Sequence, residues 1–377
     1  MESLDLVAGR VRHAVALASR SLVDRQVLVE LVALALVARE HLLVVGPPGT
    51  AKSQAVRRIA QQFRGSYFEY LLGRFTEPTD IFGSVDLAKL RQGQVEIQTA
   101  GMLPEAEIAF LDEVFLGSTA ILNTLLALLN ERVFTRGHTR LASPLRVCVG
   151  ASNSIPTEPA LEAFADRFLV RVFVESLPDE MLETLLEAGW TVNGESAPKT
   201  SSVASSIADL EVLASHAAAL DLTPIRPRLA EAIRLLRQAG ISLSDRRVVK
   251  TQRLVAAATV LRSSLAPTGA DLWPVVFAVP SAEQQTLARE VLRDLLADSV
   301  NSGLNAAAED ASLAPAARAH RLSGTIRELL GNPPASDWSA RAEATLREVD
   351  ASFDDVSIPA DLKLGREALA RRFEETS

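Results

Sequence analysis

The 377 residues carry 39 lysines and arginines against 47 aspartates and glutamates, a formal net charge of −8, with 48% hydrophobic and 5% aromatic residues. This composition excludes a mainly disordered or collagen-like chain. It also argues against a nucleic-acid binder, which carries a basic footprint, and at roughly 100–200 residues per domain the length predicts two or three domains.

Cys148 is the single cysteine, and His13, His41, His138, His216 and His320 are scattered. Intrachain disulfides and cysteine-clustered zinc are excluded, and no metal-ligand spacing is visible. The amino terminus, Met1-Glu2-Ser3-Leu4-Asp5, is acidic where a signal peptide is basic. The most apolar stretch, 27–45, is broken by Glu30, Arg39, Glu40 and His41, too charged for a membrane span. A cytoplasmic location is expected.

In chain order, residues 4–18 and 27–38 carry apolar side chains at helical spacing. Residues 42–45 form a short apolar run ending at glycine, the pattern of a buried parallel strand. Similar runs follow at 67–72, 108–111, 145–150 and 168–174, separated by helical patterns, notably 54–63 and 119–129. The alternation predicts an α/β fold with a five-stranded parallel sheet between helices. A Ser/Gly/Pro-rich linker is expected over 192–206. Beyond it only helices are predicted, at 207–220, 227–239, 244–261, 281–297, 342–349 and 361–373, with a turn at Gly331-Asn332-Pro333-Pro334. The expected organisation is an α/β core over 1–190, an all-α lid over 205–265 and a helical C-terminal extension over 270–377.

Gly46-Pro47-Pro48-Gly49-Thr50-Ala51-Lys52-Ser53 follows the first strand and opens a helix, the context of a phosphate-binding loop. Its glycines let backbone N–H groups curl around the phosphates of ATP, and the helix N-terminus adds partial positive charge. Lys52 would neutralise β/γ oxygens, and the Ser53 hydroxyl would ligate Mg²⁺. Ala51 stands where the general pattern has glycine. A second motif, Ile108-Ala109-Phe110-Leu111-Asp112-Glu113, is a buried strand ending in two carboxylates. Asp112 would hold the water shell of Mg²⁺ where open α/β sheets bind ligands, and Glu113 would deprotonate the attacking water. The simpler alternative is that the two acids only cap the next helix. The fourth strand, 145–150, ends in Ala151-Ser152-Asn153, and Asp166-Arg167-Phe168 precedes the fifth.

With these motifs in this order, the sequence resembles the AAA+ ATPases, within them the MoxR family, and most nearly its RavA branch. The resemblance covers about 1–265. It also rests on Phe68-Glu69-Tyr70-Leu71 with Arg74-Phe75, on Leu103-Pro104-Glu105-Ala106-Glu107, and on Leu122-Asn123 with Leu129-Asn130-Glu131-Arg132. Ser244-Asp245-Arg246-Arg247 completes the set. It implies that Asn153 is sensor 1, that Arg167 is an arginine finger reaching the neighbouring subunit's γ-phosphate, and that Arg246 is sensor 2, with Arg247 a weaker candidate. A local salt bridge with Asp166 is the plain alternative for Arg167, and a solvated helix start that for Arg246. The resemblance further implies that Val23, in Leu22-Val23-Asp24, lies in the adenine-binding segment. Residues 81–98 would hold an extra β-hairpin, and 131–146 a second hairpin turning at Arg136-Gly137-His138. Arg132, Arg136 and Arg140 on that second hairpin either meet a partner at a central pore or form a solvated face. Met102, Trp190 and Cys148 read as packing residues.

The function this implies is a homohexameric ring that couples ATP hydrolysis to remodelling or activating a protein partner with a von Willebrand factor A domain. A magnesium-chelatase-type ATPase subunit and a DNA-acting AAA+ motor are the alternatives. A P-loop small-molecule kinase would leave Asn153, Arg167 and Arg246 without a shared purpose.

Overall fold

A computed structural model describes residues 3–20, 22–187, 205–312, 315–331, 338–353 and 358–376. The expected 192–206 linker lies almost wholly outside these residues, as do Trp190 and most of the predicted turn after Gly331. Among the described residues no helix is long and apolar enough to cross a membrane.

Seven strands are described: β1 (His41–Val45), β2 (Tyr67–Leu71), β3 (Ile108–Asp112), β4 (Val133–Arg136), β5 (Thr139–Ala142), β6 (Val147–Ser152) and β7 (Phe168–Phe173). Five form one parallel sheet in the order β2-β3-β6-β1-β7. Period-two alternation divides its side chains between two cores. Leu42, Val44, Phe110 and Val149 face one buried cluster, and Leu43, Val45, Leu111 and Cys148 face the other. Because all five strands run the same way, their carboxyl ends share one edge of the sheet and their starts share the opposite edge.

Helices α1 (Leu4–Ser19), α2 (Gln26–Ala38) and α3 (Lys52–Phe63) belong to the first core, and α4 (Thr119–Glu131) to the second. Eleven of the thirteen residues of α2 are buried, including Glu30, so its hydrophobic run is an interior helix rather than a surface one. Three helices follow: α5 (Ile207–Ala219), capped by a Ser206–Asp209 capping box, α6 (Arg226–Gln238), and α7 (Asp245–Leu261), capped by Ser244. The first core continues through Leu272, Trp273 and residues 275–279, all buried with α7.

After α8 (Ala282–Val291) come α9 (Asn305–Ser312), α10 (Pro315–Gly331), α11 (Trp338–Ser352) and α12 (Ala360–Thr376). The helices predicted at 342–349 and 361–373 are thus longer than their apolar spacing indicated, and α9 and α10 were not predicted. The buried face of α9 is alanine and serine, Ala307, Ala308, Ala311 and Ser312, which leaves little hydrophobic periodicity to read. Ala319, Leu322, Ile326 and Leu329 did mark α10; they sit in a third cluster with Trp338, Val349, Leu362 and Leu369.

The hairpin expected over 81–98 is reduced to one antiparallel bridge, Val85↔Ile97, around a helical turn at Leu87–Leu90 capped by Asp86. The second hairpin forms as predicted, with β4 and β5 paired and Gly137 at φ +60° in the turn. Its edge is fastened to the first insert, where His138 N–H donates to the Val95 carbonyl (3.1 Å) and Ile97 N–H to Thr139 Oγ1 (2.7 Å).

Candidate functional site: two edges of one sheet

The loop 46–51 leaves β1 at the strand-end edge. Gly46 is dictated by space: a Cβ there would lie 2.1 Å from the Val174 carbonyl oxygen. Gly49 (φ +79°) and Ala51 (φ +60°, ψ 24°) both take left-handed backbone, which explains the glycine of the general pattern at 51. Helix α3 starts at Lys52, so its first N–H groups lack helical partners and point into the loop. Lys52 Nζ donates to the carbonyls of Gly46 and Pro47 (2.8 Å each), and Thr50 Oγ1 donates to Pro47 O (2.9 Å). Burial lowers the Lys52 pKa, while Asp112 and Glu113 oppose that shift by favouring its charged form.

β6 lies between β1 and β3, with Val45 opposite Ser152 and Leu111 opposite Gly150. The pairing brings the ends of all three strands together and with them Lys52, Ser53, Asp112, Glu113 and Asn153. Asp112 Oδ1 accepts the Glu113 N–H (3.0 Å), and Asn153 Nδ2 donates to Glu113 Oε1 (2.7 Å). Glu113 itself takes a left-handed φ of 49°, a costly conformation for a non-glycine residue that recurs at active sites. The acids do not cap α4, whose N-cap is Ser118, accepting from Ile121 N–H.

The donor set fits a magnesium–nucleotide complex. A buried ammonium, a hydroxyl at a helix start and one carboxylate leave most of the metal's coordination to phosphate and water, as Mg²⁺ prefers. The described residues contain no cluster of three or more His, Cys, Asp or Glu side chains that could hold a metal ion.

Arg25, which the sequence reading missed, closes this site from behind. Its guanidinium is buried and donates Nε–H to Thr50 O (2.8 Å) and Nη2–H to Glu175 O (2.8 Å), fastening the loop 46–51 to the chain leaving β7. Its acceptors are main-chain carbonyls 25 and 150 residues away, which no local spacing reveals. Val23 lies two residues before it, partly buried, next to Asp24 at φ +53°.

Arg167 and Arg246 lie at the other edge. Arg167 immediately precedes β7, whose first residue pairs with His41 at the start of β1. Arg246 contacts Asn130 in the last turn of α4, next to Leu129, whose carbonyl bonds the His41 ring. Burial, and then Arg167, lower the Arg246 pKa. The structure therefore groups these two arginines with each other and not with Lys52. β1 alone separates the edges by about 16 Å at the usual rise per strand residue. The local alternative for Arg167 is absent: Asp166 pairs with Arg247 (3.3 Å), and no ion pair to Arg167 occurs among the described residues. Arg246 is not a free helix start either, given its Asn130 contact. Arg247 is buried and bonded to backbone carbonyls.

The same edge holds a buried charge network. Glu40, fully buried, accepts from Lys250 Nζ (2.5 Å) and Arg253 (2.9 Å) of α7. His41 is kept neutral by burial and by Arg132, and its Nδ1 accepts the Cys148 N–H (2.9 Å). Arg132 donates to the carbonyls of Arg39 (2.9 Å) and Arg146 (3.2 Å), so this residue of the hairpin trio faces inward, whereas Arg140 is exposed.

A family model described as the MoxR domain in the MoxR-vWA-beta-propeller ternary systems matches residues 9–214. Two uncharacterised proteins of Methanocaldococcus jannaschii are 36% and 37% identical over 234 residues, which is 62% of this chain and 61% and 60% of theirs. The chain thus spans about three fifths of the length of these relatives. The chaperone MoxR1 of Mycobacterium tuberculosis is 29% identical over 195 residues, 50% of this chain and 51% of that one. The crystal structure of a candidate ATPase from Cytophaga hutchinsonii superposes with a TM-score of 0.62 over 78% of this chain and 96% of its own, at 15% identity, a likeness of fold. With more than half of its length matched by the family model, the chain belongs to the MoxR domain family of AAA+ ATPases.

Proposed function

We propose that the chain hydrolyses ATP with Mg²⁺ in a homohexameric ring and uses the cycle to remodel or activate a protein partner carrying a von Willebrand factor A domain. The observation that carries this reading is the split of the site residues between two edges of one sheet. Lys52, Glu113 and Asn153 lie at the strand ends, and Arg167 and Arg246 at the strand starts. One chain cannot bring both sets to one phosphate, but a neighbouring copy presenting its strand-start edge can.

In this reading Gly46, Pro47, Pro48, Gly49, Thr50 and Ala51 wrap the phosphates, and Lys52 Nζ meets their β/γ oxygens. Ser53 and Asp112 would hold Mg²⁺, Asp112 through water, and the ion would supply positive charge against the phosphates. Glu113 takes the proton of the attacking water, and the Asn153 amide, already bonded to Glu113, orients that water. Arg167 and Arg246 act on the neighbour's phosphate in trans, where a permanently charged guanidinium stabilises the charge of the transition state. Val23 lines the adenine end. Residues 1–190, 205–265 and 270–377 are the core, lid and C-terminal extension of this machine, and a cytoplasmic location suits it. The partner class follows from the family's description as part of a MoxR-vWA-beta-propeller system; the finer likeness to the RavA branch rests on the motifs alone.

Light scattering with ATP, beside ATPase rate against protein concentration, tests the ring. Activity should rise as a large oligomer assembles, and a monomer fully active at every dilution overturns the reading. The Glu113→Gln protein, loaded with ATP, should retain a partner carrying a von Willebrand factor A domain.

A further inference from the structure

Arg247 is the third residue of α7 and is only 2% exposed. Every nitrogen of its guanidinium donates. Nε bonds Ala278 O (2.9 Å), and Nη2 bonds Ala278 O (2.8 Å) and Leu169 O (2.6 Å). Nη1 bonds Phe168 O (3.1 Å) and the Asp166 carboxylate (3.3 Å). Asp166 also accepts from Ser244 Oγ (3.4 Å), the N-cap of α7. One side chain thus joins the start of α7, the segment 166–169 and the buried stretch around Ala278.

The residues beside this staple are the two cations of the strand-start edge. Arg246 precedes Arg247 on α7 and contacts Asn130, and Arg167 follows Asp166. Each repels the other, and Arg167 Nε is buried with no hydrogen-bond partner among the described residues. Arg171, also buried, adds a fourth positive charge, bonding the carbonyls of Phe168 (3.2 Å) and Ala165 (2.6 Å). Four arginines gathered around Asp166, with Glu40 acting on Arg246 and Arg247 as well, would drift apart unless the backbone beneath them were fixed. We propose that Arg247 is a positioning residue: its buried guanidinium locks the Arg167 segment to the Arg246 helix, so that both cations are presented to a neighbouring subunit as one unit. This rests on the reading that Arg167 and Arg246 act in trans. Only arginine suits the role, because a planar fork with five N–H donors reaches carbonyls on two segments and a carboxylate at once, and an ammonium has three donors at one point.

The test uses full-length Arg247→Lys, which keeps the charge and loses the fork. Its ATP affinity should match wild type, since Lys52 and Glu113 lie at the other edge, while kcat falls on the order of 10²-fold, as a misplaced catalytic group can cause. Mixing it with Glu113→Gln, which has intact arginines and no base, should restore hydrolysis at interfaces where an Arg247→Lys nucleotide site meets Glu113→Gln cations. A subunit damaged in its own fold gains nothing from that partner. Arg167→Ala mixed with Glu113→Gln is the control. No recovery in the control refutes the trans reading; recovery in the control but none with Arg247→Lys refutes the positioning role, as does an Arg247→Lys enzyme with wild-type kcat. Should Arg247→Lys fail to fold, Asp166→Asn removes the staple's carboxylate and leaves its carbonyl bonds. The same loss of kcat and the same rescue are then required.

Discussion

The two edges of the sheet are held in different ways. At the strand ends the loop 46–53, Asp112, Glu113 and Asn153 each lie at a strand terminus or in the segment that directly leaves it, and contacts within the site, such as Asn153 to Glu113, join adjacent strands. At the strand starts the cations are held by partners distant in sequence: Asp166 to Arg247, Glu40 to Lys250 and Arg253, Asn130 to Arg246. The first edge is built by backbone geometry, the second by buried charge reaching from α7 into the sheet. Substitutions at the first should therefore change chemistry with little change in fold, whereas the second couples chemistry to how α7 is seated.

The largest effect is expected at Arg167. An arginine finger is worth roughly 10³–10⁵ in rate, whereas a surface ion pair contributes ~0–1 kcal/mol of stability. Arg167→Ala should bind ATP and melt near wild type while hydrolysing slowly. A variant that melts early and keeps its rate makes Arg167 part of the scaffold, and the contrast between the edges fails there.

At the strand-end edge, Glu113→Gln should keep ATP binding and lose ~10²–10⁴-fold in turnover, the usual contribution of a general base. The amide cannot take the proton, although it can still accept from Asn153. Lys52→Ala should instead lose tight binding, because it removes the point charge on the phosphates. Titration with a fluorescent ATP analogue and a phosphate-release assay separate the two. Wild-type turnover in Glu113→Gln would transfer the role of base to another residue.

Helix α2 runs between the edges, flanked by Arg25 and Arg39, and carries a buried carboxylate, Glu30. Its oxygens accept from Ala307 N–H (2.8 Å) at the start of α9 and from Gln26 Nε2 (3.2 Å). Burial raises its pKa from 4.5 to about 7 against the pull of those hydrogen bonds. A raised folded-state pKa means that the folded protein binds the proton more tightly than the unfolded chain. The contribution is therefore fully present below the unfolded value and is lost as pH rises through about 7. Glu30→Gln stays neutral and keeps an acceptor, so its stability relative to wild type should improve between about pH 5 and about pH 8. Denaturant melts across that range check the sign; a difference constant with pH contradicts the burial of a titrating carboxylate there.

The same contrast explains what could be read in advance. The placement of the loop 46–53, Asp112-Glu113 and Asn153 at one edge was legible because each is a contiguous motif at the end of an apolar run, and the parallel sheet followed from five such runs. The motif around Arg246 and Arg247 was legible too, but not which arginine faces outward, since that depends on carbonyls at 168, 169 and 278. Arg25 and Glu40 carried no sequence signal for a similar reason: their partners are backbone atoms or side chains far along the chain. The first insert was misread because its arms join by one bridge instead of a ladder.

The smallest effect expected is at Ala51, where the strand-end edge departs from its own pattern. An L-residue in left-handed backbone costs roughly 1–2 kcal/mol relative to its usual conformation, and glycine is free of that cost but loses more entropy on folding. Ala51→Gly should therefore gain about 1 kcal/mol or less in denaturant melts, with the same dependence on denaturant concentration. Its ATP affinity should not rise with its stability, because a second flexible glycine beside Gly49 leaves the loop less fixed before the phosphates arrive. Equal gains in stability and affinity would mean that Ala51 strains the loop without ordering it. A loss of stability would mean that the left-handed turn is held by neighbours such as Arg25 on Thr50 O, and that long-range bonding governs this edge as well.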